Sequence, residues 1–272
     1  MSESHQAWGQ PQHAMHFDAL SGVPGFVLRR AYERFNEVRL LNTVLDTRSN
    51  PVRLLEVGCA TGEFYRYLSL RYPQVSYVGC DISRPALERA RQKYHVEGRF
   101  IETDTDLKAV RHVSPDIIFC RDVAHHQPDP LAFIRKLYEM TKSLLVMRVR
   151  TRDAGATVGD PALSCQLNYG AWAPYIVVNS QELLRTIQGF SPQPRRIQLV
   201  KHYMVLGGQH ARFLPKECYY PETGTAEAAL LIEKGEGTAA CVVQEEAAQE
   251  NLQLGFIARA VSWLARPGRL GG

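Results

Sequence analysis

What most constrains this chain of 272 residues is a strict alternation through its middle, from residue 53 to residue 149. Short apolar segments at 53–57, 75–80, 98–102, 116–120 and 143–149 read as strands, several of them continuous hydrophobic runs of the kind that a strand covered on both faces requires. Helical patterns separate them: 63–71, then 84–94 with Pro85 at the helix start behind Ser83, then 130–141 with Leu131, Phe133, Ile134 and Leu137 on one stripe. Such alternation implies right-handed crossovers and an α/β fold, a doubly wound sheet with helices on both faces.

The flanks extend this frame. A polar, histidine-bearing segment at 1–25 precedes an amphipathic helix at 26–46, and together 1–50 reads as a helical cap or lid over a core at 51–237. The later core continues with a helix at 180–188 capped by Ser180 and strands at 195–206 and 226–234. Irregular stretches at 150–179 and 207–225 are too long for plain connections. From 238 the chain is Ala- and Gln-rich with a helical pattern ending at Trp263-Leu264, stopped by Pro267-Gly268, so 238–272 is expected to be a helical tail.

Charge and cysteine exclude more than they identify. The formal net charge of +4 comes from Lys and Arg scattered in ones and twos, with no run of five that would mark a nucleic-acid or lipid patch. No window approaches the roughly 18 apolar residues of a membrane span, and the start has no leader pattern, so a cytoplasmic protein is expected. The six cysteines lie far apart without a C-x-x-C pair, as free thiols in a reducing compartment would.

Chemistry first shows in the stretch Leu54-Leu-Glu-Val-Gly-Cys-Ala-Thr-Gly-Glu-Phe64, where an acid leads a glycine turn between the first strand and its helix. Open parallel sheets bind ligands at that place. A dinucleotide fingerprint would need glycines at 58, 60 and 63, because the pyrophosphate must approach bare backbone at the helix N-terminus. The chain offers Gly58, Ala60 and Glu63, and the dinucleotide reading fails at two of three points.

Glu56-Val-Gly58-Cys59-Ala60-Thr-Gly62 instead resembles the first motif of class I S-adenosylmethionine-dependent methyltransferases of the small-molecule type, with Ala60 replacing the commoner central glycine. The resemblance covers about 52–150. It implies a Rossmann-like seven-stranded sheet whose last strand is antiparallel, and S-adenosylmethionine as cofactor. It also implies roles for the acids. Glu56 lies near the cationic methionine end, over bare backbone at Gly58, Cys59, Ala60 and Gly62. Asp81, 25 residues later at the next strand end, accepts the ribose hydroxyls, with Ile82 against the adenine. Asp104 and the Thr105 amide recognise the adenine ring, and backbone at Cys120 and Arg121 lines the methionine end.

After the fourth strand, Arg121-Asp-Val-Ala-His125-His126-Gln-Pro-Asp-Pro carries a histidine pair beside the expected methyl position. Either His125 or His126 is a candidate to take the acceptor's proton, the other to hold the loop. A Mg²⁺-assisted variant would use Asp122 and Asp153, but Arg121, Arg148, Arg150 and Arg152 crowd the same rim, so no metal is expected. Acceptor choice falls to the insertions, with Tyr169, Trp172, Tyr175 and Arg212 as candidate substrate contacts and Trp8, His13, His16 and Phe17 as lid residues. The expected activity is methylation of an oxygen or nitrogen of a small molecule, a sugar or a specialised metabolite. The alternatives are a nucleic-acid- or protein-modifying methyltransferase, and a non-catalytic cofactor-binding protein. Nucleic acid is disfavoured because Arg121-Asp-Val-Ala stands where an Asn/Asp-Pro-Pro-Tyr/Phe motif would be; no membrane partner is expected, and a homodimer is allowed.

Overall fold

The computed structural model describes residues 3–17, 22–96, 98–208, 210–235 and 240–246. In chain order the helices are α1 (Pro11–Phe17), α2 (Gly25–Tyr32), α3 (Asn36–Leu45), α4 (Glu63–Arg71), α5 (Arg84–Tyr94), α6 (Pro130–Met140) and α7 (Ser180–Gln188). The strands are β1 (Val52–Val57), β2 (Val75–Asp81), β3 (Phe100–Glu102), β4 (Ile117–Cys120), β5 (Leu144–Arg152), β6 (Cys165–Asn168), β7 (Ala171–Pro174), β8 (Val178–Asn179), β9 (Pro194–Tyr203), β10 (Arg212–Phe213), β11 (Ala226–Lys234) and β12 (Ala240–Glu246).

The main sheet runs β12-β9-β11-β5-β4-β1-β2-β3, with β8 paired to the end of β5. β1 to β5 are parallel, and β11 is antiparallel to both of its neighbours. This is the doubly wound, Rossmann-like sheet expected, but with nine strands among the described residues rather than seven. One apolar cluster packs α6 and α7 on one face, through Phe133, Ile134, Leu137, Leu183 and Ile187. The other packs α2 to α5 through Leu28, Leu41, Phe64, Leu68 and Leu87. The order reverses between β1 and β4, which opens a crevice beyond the carboxyl ends of the strands.

Local departures from expectation have identifiable causes. The single helix expected at 26–46 is two, because Phe35 takes an extended conformation (φ −81°, ψ 131°) and lays its ring under the guanidinium groups of Arg121 and Arg148, 4.7 and 4.6 Å from its centroid. Asn179, not Ser180, caps α7, accepting from the amides of Gln181 and Glu182, and the Ser180 hydroxyl turns inward to the Arg152 carbonyl. The tail expected to be helical contributes β12 over its described part. Its Cys241-Val242-Val243 run suits a strand, and it pairs in parallel with β9 on an edge that would otherwise leave main-chain groups open. The rest of that expected helix, Trp263-Leu264 included, lies outside the described residues, as do the side chains of His16 and Phe17.

The two insertions fold into one unit. Tyr169 and Gly170, both at positive φ, turn β6 back into β7, and β10 from the second insertion pairs Arg212 with Gln166 across β6. Tyr175, Val177, Leu206, Leu214 and Cys218 form a small separate core beneath this three-stranded sheet.

Candidate functional site

A cavity of about 380 Å³ occupies the crevice. One wall is the glycine turn. Gly58 and Cys59 donate to the Cys80 carbonyl at 2.8 and 3.1 Å, which ties the turn to the end of β2. Gly58, Ala60 and Gly62 all have positive φ (83°, 44° and 78°), and a Cβ on Gly58 would lie 2.3 Å from Val123 Cγ2, so bare backbone is required there.

Two acids of this wall, Asp81 and Glu56, are held by neutral donors. Asp81 accepts from the Ala60 amide through Oδ2 and from the Ser83 amide through Oδ1, each at 2.8 Å. A carboxylate has about four acceptor positions, so about two remain for a ligand. Glu56 is buried and receives a hydrogen bond from the Tyr77 hydroxyl, and burial pushes its carboxyl up to about 8. Asp104 lies at the exposed edge, where it accepts from the Lys108 amide at 3.0 Å, a bond that holds it below the usual carboxylate range. Thr105, Ile82 and Cys59 also line the cavity. Thr103 Oγ1 is buried beside them without a hydrogen-bond partner among the described residues. A turn that demands bare backbone, spare acceptor capacity on Asp81 and an orphaned hydroxyl near Asp104 fit a nucleoside-bearing cation.

The opposite wall is cationic and aromatic. Arg148, on β5, donates to Glu37 of α3 at 2.7 Å and lies 3.3 Å from Asp122 Oδ2. Arg150 on the same face reaches Asp122 at 3.0 Å, Glu227 at 2.9 Å and the Tyr175 hydroxyl at 2.9 Å. Burial opposes ionisation of Asp122, but Arg148, Arg150 and Arg121 outweigh it and hold the carboxyl well below its usual range. Asp122 also has φ 58°, an uncommon conformation for a non-glycine residue. Arg121 stacks over Tyr32 and Phe35. Asp153, the second acid of the metal reading, accepts instead from Lys201 and Tyr203.

The histidines divide their roles. His126 Nδ1 lies 2.8 Å from the Pro174 carbonyl, which can only accept, so that nitrogen carries the proton and pins the turn to β7. Burial pushes His126 down to about 4 and His125 well below its ordinary value. His125 Nδ1 is buried and without a partner among the described residues. The Trp8 ring lies 4.5 Å from that of His126 and His13 contacts the Ser83 hydroxyl at 3.2 Å, so these two residues form part of the cavity wall.

Tyr169, Tyr175 and Arg212 line the cavity, and three candidates do not: Trp172, Cys120 and Gly62, where a Cβ would meet Phe100 and Tyr94. Trp172 alternates outward from buried Ala173 and packs half-exposed on Phe213, 5.2 Å away. The Cys120 side chain points into the core on the α6 face. Sequence reasoning passes over Glu37, Glu227 and Tyr77. The one signal for the cationic wall is the spacing of Arg148, Arg150 and Arg152, which puts charge on one face of an otherwise apolar strand.

Comparison with known proteins agrees with this geometry. Residues 55–143 match a family model described as a methyltransferase domain. The chain is 27% identical over 116 residues to malonyl-[acyl-carrier protein] O-methyltransferase of Legionella pneumophila, covering 42% of this chain and 38% of that one. It is 30% identical over 91 residues to trans-aconitate 2-methyltransferase of Rhodopseudomonas palustris, covering 32% of this chain and 33% of that one. The matches thus span little more than a third of either curated relative. Among solved structures, the N-terminal domain of EvdMO1 with SAH bound shares the fold at 11% identity and a TM-score of 0.50, over 74% of this chain and 82% of that one. The core at 55–143 thus carries a methyltransferase domain, on a fold shared with a protein solved with SAH bound.

Proposed function

We propose that this protein transfers the methyl group of S-adenosylmethionine to an oxygen or nitrogen of a small molecule, a sugar or a specialised metabolite. The observation that carries the reading is that three acid-bearing strand ends and a glycine turn open on one cavity whose far wall is lined by insertions. When bound, the cofactor supplies an electrophilic methyl on a sulfonium, and its carbon–sulfur bond breaks as the bond to the acceptor forms. Gly58, Cys59 and Ala60 would pass beneath its methionine end with Glu56 nearby, Asp81 would accept from the ribose, and Ile82, Asp104 and Thr105 would border the adenine. Arg121 would close the methionine end. Where the acceptor bears a proton, His125, which lines the cavity, would be the group to receive it, while His126 would hold the loop.

Calorimetric titration with S-adenosylhomocysteine tests the reading. Asp81→Ala should weaken binding about ten- to a hundredfold while the protein stays folded, the loss expected for charged hydrogen bonds. Unchanged affinity would remove Asp81 from the site, and no binding by the wild type would remove the cofactor.

A further inference from the structure

Resting on that reading, we propose that the methyl acceptor carries a carboxylate, and that Arg150 and Arg212 hold this carboxylate against Tyr175.

Arg150 is 5% exposed, and two of its three nitrogens are committed: Nη2 to Asp122 and Glu227, Nε to the Tyr175 hydroxyl. Nη1 is buried, has no hydrogen-bond partner among the described residues, and belongs to a side chain that lines the cavity. Arg212 arrives from the other insertion. Its guanidinium stacks 4.5 Å over the Tyr175 ring, Nη1 donates to the Leu206 carbonyl at 3.3 Å, and Nε is buried without a partner. Two charged donors on separate strands thus meet on the two sides of one tyrosine. The Tyr175 oxygen accepts from Arg150, so its own proton is available as a third donor. Buried charged donors are costly to leave unmade, and all three belong to side chains that line the cavity.

The charge balance selects the ligand class. Glu37, Asp122 and Glu227 are all held by Arg148 and Arg150, whereas Arg212 has no carboxylate within ion-pair distance among the described residues, so its positive charge is left uncompensated. A single carboxylate neutralises it, and its two oxygens match one N–H from each guanidinium. A phosphate dianion would overshoot the charge and meet repulsion from Asp122 and Glu227, and an amine cation would meet only like charge.

The test uses the full chain saturated with S-adenosylhomocysteine, titrated with acetate, succinate, benzoate and citrate, each against its neutral amide, and with phenyl phosphate. At least one acid should bind about tenfold or more tighter than its amide, and Arg212→Gln should abolish that margin without changing affinity for S-adenosylhomocysteine. Arg150→Lys, which keeps the charge but loses the fork, should reduce it. No preference for any acid overturns the proposal, as does a preference that survives Arg212→Gln, or tighter binding of phenyl phosphate. Weaker S-adenosylhomocysteine binding by Arg212→Gln would also overturn it, assigning the pair to the cofactor's own carboxylate. Acid preference persisting in a protein that never binds S-adenosylhomocysteine would uphold the carboxylate site and sink the methyltransferase reading instead.

Discussion

The two walls of the cavity hold their carboxylates in opposite ways. On the cofactor side, Asp81 is fixed by backbone amides and Glu56 by a phenol, donors without charge. On the acceptor side, Glu37, Asp122 and Glu227 are fixed by the guanidinium groups of Arg148 and Arg150. Neutral donors orient an acid without cancelling its charge, so Asp81 can still attract a cation, while burial keeps Glu56 protonated below about pH 8 until a cation lies beside it. Guanidinium partners consume the charge of the acids they hold, and what remains on that wall is positive. A cationic cofactor and an anionic acceptor could therefore occupy one crevice without competing for the same surface.

The largest expected effect separates the walls by pH. Glu56 has a folded pKa of about 8, above its unfolded value, so its contribution to stability is complete below the unfolded value near 4.5 and lost as pH rises through 8. His126 has a folded pKa of about 4, below its unfolded value, so its contribution is complete above about 6.5 and lost as pH falls to 4. Each is worth on the order of 3 to 5 kcal/mol across its window. Thermal unfolding of Glu56→Gln from pH 4 to 9 should show the alkaline decline removed and the acid decline kept, with weaker binding of S-adenosylmethionine. An alkaline decline that persists in this variant would mean that Tyr77 does not hold a protonated Glu56.

Next in size is the buried pair Arg148–Glu37, 8% and 2% exposed at their side chains. Glu37→Gln keeps the shape and strips the charge, and should cost about 3 kcal/mol of stability, because it leaves a buried cation undercompensated. Affinity for S-adenosylhomocysteine, measured by calorimetry well below the lowered melting temperature, should stay within about twofold. A large loss of cofactor affinity would show that the walls are coupled rather than separate.

The same division explains what a reader of the sequence can see. The cofactor wall is written in short contiguous stretches, 54–64, 80–83 and 102–105, since each strand end delivers its own acid and the turn between β1 and α4 demands glycine. The acceptor wall joins residues 37, 122, 148, 150, 175, 212 and 227, which no local pattern links beyond the alternate spacing of Arg148 and Arg150 on β5. Its assembly depends on the break at Phe35, which brings Glu37 to β5, and on the pairing of β10 with β6, which brings Arg212 to Tyr175. Propensity foretells neither. Trp172 shows the converse error: an aromatic in an insertion reads as a ligand contact, yet period-two alternation turns it to the outside.

The smallest effect tests how finely the cofactor wall is tuned. Ala60 takes φ 44° where the resembled motif usually has glycine, and left-handed backbone costs a residue with a Cβ about 1–2 kcal/mol. Ala60→Gly releases that strain but adds about 0.5–1 kcal/mol of unfolded-chain entropy, so the net gain should be less than about 1 kcal/mol. A rise of about 1–3 °C in melting temperature follows for a protein of this size. The bond from this residue to Asp81 is made by the main-chain amide, which glycine keeps, so S-adenosylhomocysteine affinity should be unchanged within about twofold. A falling melting temperature would show that the buried Ala60 methyl contributes more packing than its conformation costs, and that the alanine is a structural part of this wall rather than a tolerated substitute.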